Sequence, residues 1–364
     1  MRRRTFLGAL AAGAGAGSRA FAAAAPLRLG MVGLVHGHAG GFLGRYRNRS
    51  DVELVGIAEP DQAVAARYVK QFKLDPAVVH STLDALFERS KPEGVVVFTN
   101  TRDHLAVVEA CARRKVPVMM EKPLAVGIEH ARAMETAAAS AKIPVLVNYE
   151  TTWYRSNRAA WDVVKNQNAL GEIRKVVVHD GHRGPQEIGV QPEFLAWLTD
   201  AETNGAGALF DFGCYGANLM TWLMDDQRPR SVTAVTQQLK PDVYPKVDDE
   251  ATVILEYPHA QAIIQASWNW PFDRKDMEVY GRTGALRTVG PDGLRVHLAG
   301  KPEESRDAPA IPAPENDFLT YFAAVIRGEL EPSGLSSLRN NLIVVEILDA
   351  ARRSAATGRT VRLE

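Results

Sequence analysis

From Leu27 onward the chain alternates short apolar, β-branched runs with stretches of helical composition, and this alternation constrains the fold more than any other feature. The runs are LRLGMVGLV (27–35), VELVGIAE (52–59), GVVVFTN (94–100), VPVMME (116–121) and IPVLVNY (143–149). Each is nearly continuous in apolar residues, the pattern of strands covered on both faces. Between them, HAGGFLGRYRNR, QAVAARYVKQF, TLDALFERS, LAVVEACARRK and EHARAMETAAASA repeat with helical period. A βαβα order of this kind predicts a doubly wound parallel sheet over 27–147.

The rest of the chain, 148–364, reads differently. SVTAVTQQL, EATVILEYP, AQAIIQASWNW and KDMEVYGRTGALRTVG predict antiparallel strands, and all six tryptophans fall between 153 and 270. Two helices, ENDFLTYFAAVIRG and SSLRNNLIVVEILDAARRSAATG, then a short TVRL strand close the chain. The expected class is α/β: a doubly wound N-terminal sheet plus an α+β domain with a large, mostly antiparallel, open-faced sheet. A length of 364 residues suits two such domains.

Residues 1–25, MRRRTFLGALAAGAGAGSRAFAAAA, join a cationic start to a weakly apolar stretch and small residues near Ala23–Ala25, and read as a signal peptide. Arg3-Arg4-Thr5-Phe6-Leu7 is similar to the twin-arginine export motif, which implies a folded, periplasmic product. No other run approaches the ~20 apolar residues of a membrane span. Without the leader, 39 basic residues face 43 acidic ones, a balance that argues against nucleic acid or a membrane surface as partner. Cys111 and Cys214 are too few for a disulfide framework and read as small buried hydrophobes.

The first strand runs into GLVHGHAGG. A dinucleotide fingerprint spaces its glycines G-x-G-x-x-G so that backbone can approach a pyrophosphate at a helix N-terminus. Here Gly33, Gly37 and Gly40 are spaced G-x-x-x-G-x-x-G, one residue longer at the front, with His36 and His38 near the phosphates or incidental. Glu59 ends the second strand about 20 residues on, where a carboxylate accepts from ribose hydroxyls and repels a 2′-phosphate, which favours NAD over NADP. Thr99 and Asn100 stand at the carboxyl edge of the sheet, where such folds bind ligands.

Taken together, GLVHGHAGG, IAEPD, TNTRDH and MEKPLA resemble the Gfo/Idh/MocA family of sugar and inositol oxidoreductases, over nearly the whole chain after the leader. The resemblance implies a Rossmann domain, a bound nicotinamide, and a lysine of the Glu-Lys-Pro signature aimed between cofactor and substrate. Glu121, Lys122 and Pro123 match that signature. GAGALFDFGCYGANLMTWL (205–223) is similar to the family's helix bearing Asp-x-x-x-His or Asp-x-x-x-Tyr, with Asp211 and Tyr215 at those positions. Where inositol dehydrogenases carry histidine this chain has tyrosine, as glucose-fructose oxidoreductase does. A helix starting near Asp211 would place Asp211, Tyr215, Asn218 and Trp222 on one face.

Alcohol oxidation needs a hydride acceptor and a base. The expected catalytic group is Lys122, Asp211 and Tyr215, with the Lys122 ammonium lowering the phenol toward phenolate. Glu121 and Lys122 join the cofactor set. Trp153, His182 and Arg183 are expected to contact a sugar or polyol. His179 and His182 lack a third ligand, so no metal is expected. The expected protein is an exported NAD-dependent oxidoreductase, a homodimer or homotetramer through its open sheet. The alternatives are an NAD-dependent glycosidase and a non-catalytic sugar-binding protein.

Overall fold

The computed structural model describes residues 25–46 and 49–363. The leader reading therefore lies outside the described residues, Ala25 aside. Six strands, β1 (Leu27–Val32), β2 (Val52–Ala58), β3 (Val79–His80), β4 (Gly94–Val97), β5 (Val118–Glu121) and β6 (Val145–Asn148), form one sheet. Its order is β3-β2-β1-β4-β5-β6 and every pairing is parallel, the doubly wound order that binds nucleotides where the strand sequence reverses. In this sheet only the two-residue β3 was missing from the sequence reading, being too short to carry a period.

Nine strands make the second sheet: β7 (Ile173–Gly181), β8 (Ser231–Gln237), β9 (Glu250–Glu256), β10 (Gln261–Ser267), β11 (Arg274–Gly281), β12 (Gly284–Val289), β13 (Gly293–Leu298), β14 (Glu304–Asp307) and β15 (Val361–Arg362). The order is β14-β13-β12-β11-β7-β10-β9-β8-β15, antiparallel except for β7 against β10. Period-two alternation divides its faces. Val232 and Ala234 of β8 point inward under the helix Leu338–Thr357 and Ile264 of β10 under the helix Gly213–Leu223, whereas Val235, Ile254 and Tyr280 on the other face stand in solvent.

The two sheets share a core. One buried cluster runs from Val95, Met120 and Val147 through Tyr149 and Tyr215 to Val176, Val178 and Trp268. The late helix Phe318–Ile326 crosses back to pack Phe318, Leu319 and Phe322 with Leu29, Met31 and Phe98 of the N-terminal sheet. Chain order and spatial neighbourhood thus part company at this helix. Side-chain caps start several helices, with Asp61, Asp317 and Ser337 each accepting from backbone amides. Four helices of the first half end on Lys73, Lys91, Lys115 and Lys142 in the left-handed conformation usually left to glycine. Cys111 and Cys214 are both free and buried, as expected from their number.

Candidate active site

Glu121 closes β5, and the next residue, Lys122, points into protein with only 6% of its surface exposed. The Lys122–Pro123 peptide bond is cis. Lys122 Nζ donates to Asp211 Oδ1 at 2.5 Å and to the Asp211 carbonyl at 2.9 Å. The second carboxylate oxygen, Oδ2, accepts from Trp268 Nε1 at 2.9 Å, so both oxygens are held. Burial opposes charge on both partners, but each gains more from the other: the Asp211 carboxyl is lowered and the Lys122 ammonium raised. The pair is ionised.

Asp211 does not begin the helix that carries Tyr215. It ends a short helix, Ala208–Asp211; the chain breaks at Phe212 and a second helix runs Gly213–Leu223. The single-face expectation therefore fails. Lys122 itself gathers the group, with Nζ 5.2 Å from the Tyr215 ring centroid and 5.7 Å from that of Phe212. Lys275 Nζ lies 5.2 Å from the same Tyr215 ring, so the phenol ring has an ammonium at 5.2 Å from each of two elements.

The expected lowering of Tyr215 is not what the structure shows. Burial pushes this phenol well above its ordinary range, and Cys214, Glu150, Asp211 and Glu121 push the same way. Burial dominates, and the nearby ammoniums do not offset it because Lys122 is paired with Asp211 and Lys275 with Glu150. Tyr154 donates its hydroxyl to the same Glu150 at 2.7 Å.

At the glycine turn, Gly33 has φ +81°, and a Cβ there would come within 2.7 Å of the Thr99 backbone nitrogen. The helix begins at Ala39, so Gly40 sits inside it facing Phe72, and His38 takes the last position of the turn. His36 is buried; its Nδ1 accepts the His38 amide at 3.1 Å, which puts the ring proton on Nε2, a buried donor with no partner. Burial holds His36 neutral. His38 Nδ1 lies 3.0 Å from Glu121 Oε2, while Glu121 Oε1 accepts from Asn148 Nδ2 at 2.9 Å. Burial raises the Glu121 carboxyl, and His38 and Asn148 outweigh it, bringing it down to about 2.

His36, His38 and Glu121 bring ligand atoms within 4.8 Å of one another, a metal-sized grouping that the sequence reading did not weigh. The Nε2–H tautomer of His36 suits an anionic oxygen better than a cation. An orphaned buried donor beside a turn that admits no Cβ, at the carboxyl edge of a doubly wound sheet, fits a dinucleotide phosphate. Glu59 is buried, and its oxygens accept from the Leu34 and Asp61 amides at 2.7 and 2.9 Å, so ribose binding would use its remaining lone pairs. The Asn100 side chain is spent on Asp103, and Thr99 Oγ1 donates to the Asn100 carbonyl.

The helix Pro192–Leu198 is strapped over this turn. Phe194 packs where a Gly37 Cβ would project, Trp197 Nε1 donates to the Val35 carbonyl at 3.1 Å, and Glu193 pairs with Arg67.

Comparison with known proteins agrees with this geometry. Residues 27–149 match the model of the GFO_IDH_MocA oxidoreductase family, NAD-binding Rossmann fold, and residues 158–287 match a GFO/IDH/MocA C-terminal domain. The chain belongs to the Gfo/Idh/MocA family. Its first domain is the family's NAD-binding domain. Among curated relatives, trans-1,2-dihydrobenzene-1,2-diol dehydrogenase of Sus scrofa is 24% identical over 320 residues, covering 84% of this chain and 90% of that protein. D-apiose dehydrogenase of Rhizobium rhizogenes is 26% identical over 342 residues, covering 85% and 91%. Among solved structures, an inositol dehydrogenase homolog complexed with NAD+ from Azotobacter vinelandii shares the fold with TM-score 0.80 at 21% identity, covering 93% and 98%. Aldose-aldose oxidoreductase from Caulobacter crescentus, complexed with glycerol, has TM-score 0.78 at 22% identity, covering 93% and 100%.

Within this Gfo/Idh/MocA chain the other expected contacts separate. His182 lines a cavity of about 630 Å3 with Glu150, Tyr154, Arg274 and Lys275; its Nδ1 accepts the Gly184 amide at 2.9 Å and its ring meets the edge of Phe212. Arg183 is exposed. Trp153 lines a different cavity, and its Nε1 is tied to Asn148 Oδ1 at 2.9 Å, so it reaches Glu121 only through Asn148. His179 pairs with Asp276.

The sequence reading missed Glu150, Lys275, Trp268 and Asp180. Only Asp180 left a usable signal. It continues the inward face of Val176 and Val178 on β7, an acid where the period calls for an apolar residue. It is fully buried, neither carboxylate oxygen has a partner, and burial pushes the carboxyl well above its usual range.

Proposed function

We propose that the protein moves a hydride between a secondary hydroxyl carbon of a sugar or polyol and a tightly held NAD. The carrying observation is the buried Asp211–Lys122 ion pair beside Tyr215, at the sheet edge where the glycine turn and His36 offer a phosphate cradle. Bound there, NAD supplies a two-electron hydride acceptor. Asp211, itself fixed by the Trp268 indole N–H, holds the Lys122 ammonium so that it can donate to the reacting oxygen and stabilise negative charge as it develops. Tyr215, a phenol in this state, gives its proton to a carbonyl oxygen in the reducing direction and takes one back, once ionised, in the oxidising direction. The names of relatives acting on D-apiose, D-xylose and inositols support a polyhydroxylated substrate.

The decisive assay incubates purified protein with NAD+ and a panel of aldoses and inositols, following the absorbance of reduced nicotinamide. Turnover that disappears in Lys122→Met supports the reading. Cleavage of aryl glycosides instead would favour the glycosidase, and sugar binding with no turnover a silent binder.

Export is proposed from residues 1–25 alone. Replacing Arg3 and Arg4 by lysine should hold the product in the cytoplasm, with its leader uncleaved on immunoblots. Because free NAD is scarce outside the cytoplasm, the cofactor is proposed to be bound before transport, under the strap of Pro192–Leu198. Gently purified protein that is fully active yet nucleotide-free would refute this. The solvent-facing side of the second sheet is the proposed homodimer or homotetramer surface, on the support of Val235, Ile254 and Tyr280. Light scattering of Val235→Glu should show a smaller species than the parent protein.

A further inference from the structure

Trp153 draws attention to a cavity that the reaction does not use. It measures about 470 Å3 and is walled by Trp153, Trp161, Trp222, Tyr321, Arg158 and Asp226. The size falls within the range that holds small ligands. Trp161 and Trp222 lie parallel, 15° between planes and 5.7 Å between centroids, and Trp153 meets Tyr321 edge to face. Four aromatic rings thus converge from four separate elements: the 3-10 turn Glu150–Trp153 and the helices Arg155–Trp161, Gly213–Leu223 and Phe318–Ile326.

Two lining residues, Thr152 and Ser336, carry buried hydroxyls with no hydrogen-bond partner. Neither oxygen is exposed to the cavity, so the ligand class follows from the rings and the charges. The charges select its class. Arg158 pairs with Glu315 in the wall, and Asp225 and Asp226 pair with Lys165 and Arg339, a charge balance that favours a neutral ligand over an anion. Flat aromatic faces suit the C–H side of a sugar ring, and carboxylates with an arginine suit its hydroxyls.

We propose that this cavity is a second, non-catalytic binding site for a neutral sugar or polyol ring. It is separate from Lys122, Asp211 and Tyr215 and stands whether or not the protein proves to be an oxidoreductase. Trp153 forms the partition, since its indole nitrogen is bonded to Asn148, which in turn holds Glu121.

The test uses the full mature chain carrying Lys122→Met, so that turnover cannot consume the ligand, with myo-inositol and cellobiose as probes. Titration is followed by tryptophan fluorescence and by calorimetry. The expected result is a saturable change that Trp161→Leu weakens about tenfold or more and Trp161→Phe largely preserves, in proportion to the loss or retention of a stacking face. Circular dichroism checks the fold of each variant. If Trp161→Leu does not fold, Arg158→Leu serves in its place, because this exposed guanidinium lies 5.8 Å over the Trp161 ring. No saturable signal with either probe, or equal binding by the folded Leu variants and their parent, overturns the proposal. Failure of the NAD assay leaves this outcome unaffected.

Discussion

Lys122 Nζ and Asp211 Oδ1 lie 2.5 Å apart across 89 residues of sequence, both buried. Breaking such a pair strands a charge. Lys122→Met leaves the Asp211 carboxylate with Trp268 alone and should cost about 3–5 kcal/mol of stability in urea titration, besides abolishing turnover. Adding Asp211→Leu should return much of that stability and none of the activity. A double variant no more stable than Lys122→Met would show that the charge was never desolvated.

In the proposed mechanism Tyr215 should set the pH dependence of the reaction. Because its phenol is raised above the ordinary value, the protonated form dominates near neutrality, so reduction of a ketose should fall at alkaline pH while oxidation of the alcohol rises. Tyr215→Phe should lower turnover by about 10²–10⁴-fold and flatten both profiles. Profiles of unchanged shape in the Phe variant would assign the proton to another group.

Glu121 should mark the acid limb of stability. Its folded carboxyl sits at about 2 against an ordinary 4.5, so its contribution is complete above about pH 4.5 and is lost as pH falls toward 2. The amount is on the order of 3 kcal/mol. Glu121→Gln should therefore show a shallower loss of melting temperature across that window than the parent protein. Parallel curves would mean that His38 and Asn148 do not hold the carboxylate as described.

Asp180 works with the opposite sign. Its folded carboxyl is raised, so the neutral acid is the buried form and stability declines as pH climbs from about 4, where the unfolded chain ionises. Facing it are Lys275, Asp276 and Arg274 of β11, together with Lys122, Cys214 and Tyr154. Asp180→Asn, neutral throughout, should match the parent below about pH 4 and become the more stable protein toward neutrality. Infrared spectra should show a protonated-carboxyl band at neutral pH that this variant lacks; absence of that band from the parent would sink the assignment.

The first sheet could be read from residues because its strands, buried on both faces, are continuous apolar runs and its crossovers repeat with helical period. Lys122, Asp211 and Tyr215 came from the resemblance in MEKPLA and GAGALFDFGCYG, and the structure brings them together. The path differed, since the break at Phe212 removes the shared helix face and leaves the ion pair to join them. Glu150, Lys275 and Trp268 could not have been found: each is an ordinary residue locally and acquires a role only from a partner 57 to 125 positions away. Trp153 lines a cavity other than the one that His182 lines, a separation that sequence position does not show.

Sequence alone determined the alternating first half, strands β8 to β12 and β15 of the second sheet and the Glu-Lys-Pro and Asp-x-x-x-Tyr signatures, because period and local chemistry are written residue by residue. Tertiary structure decided which charges cancel and where each aromatic ring points. Burial and pairing depend on residues far apart in the chain, and they set Tyr215 as a phenol, Asp180 as a neutral acid and Trp153 as the wall of a separate cavity.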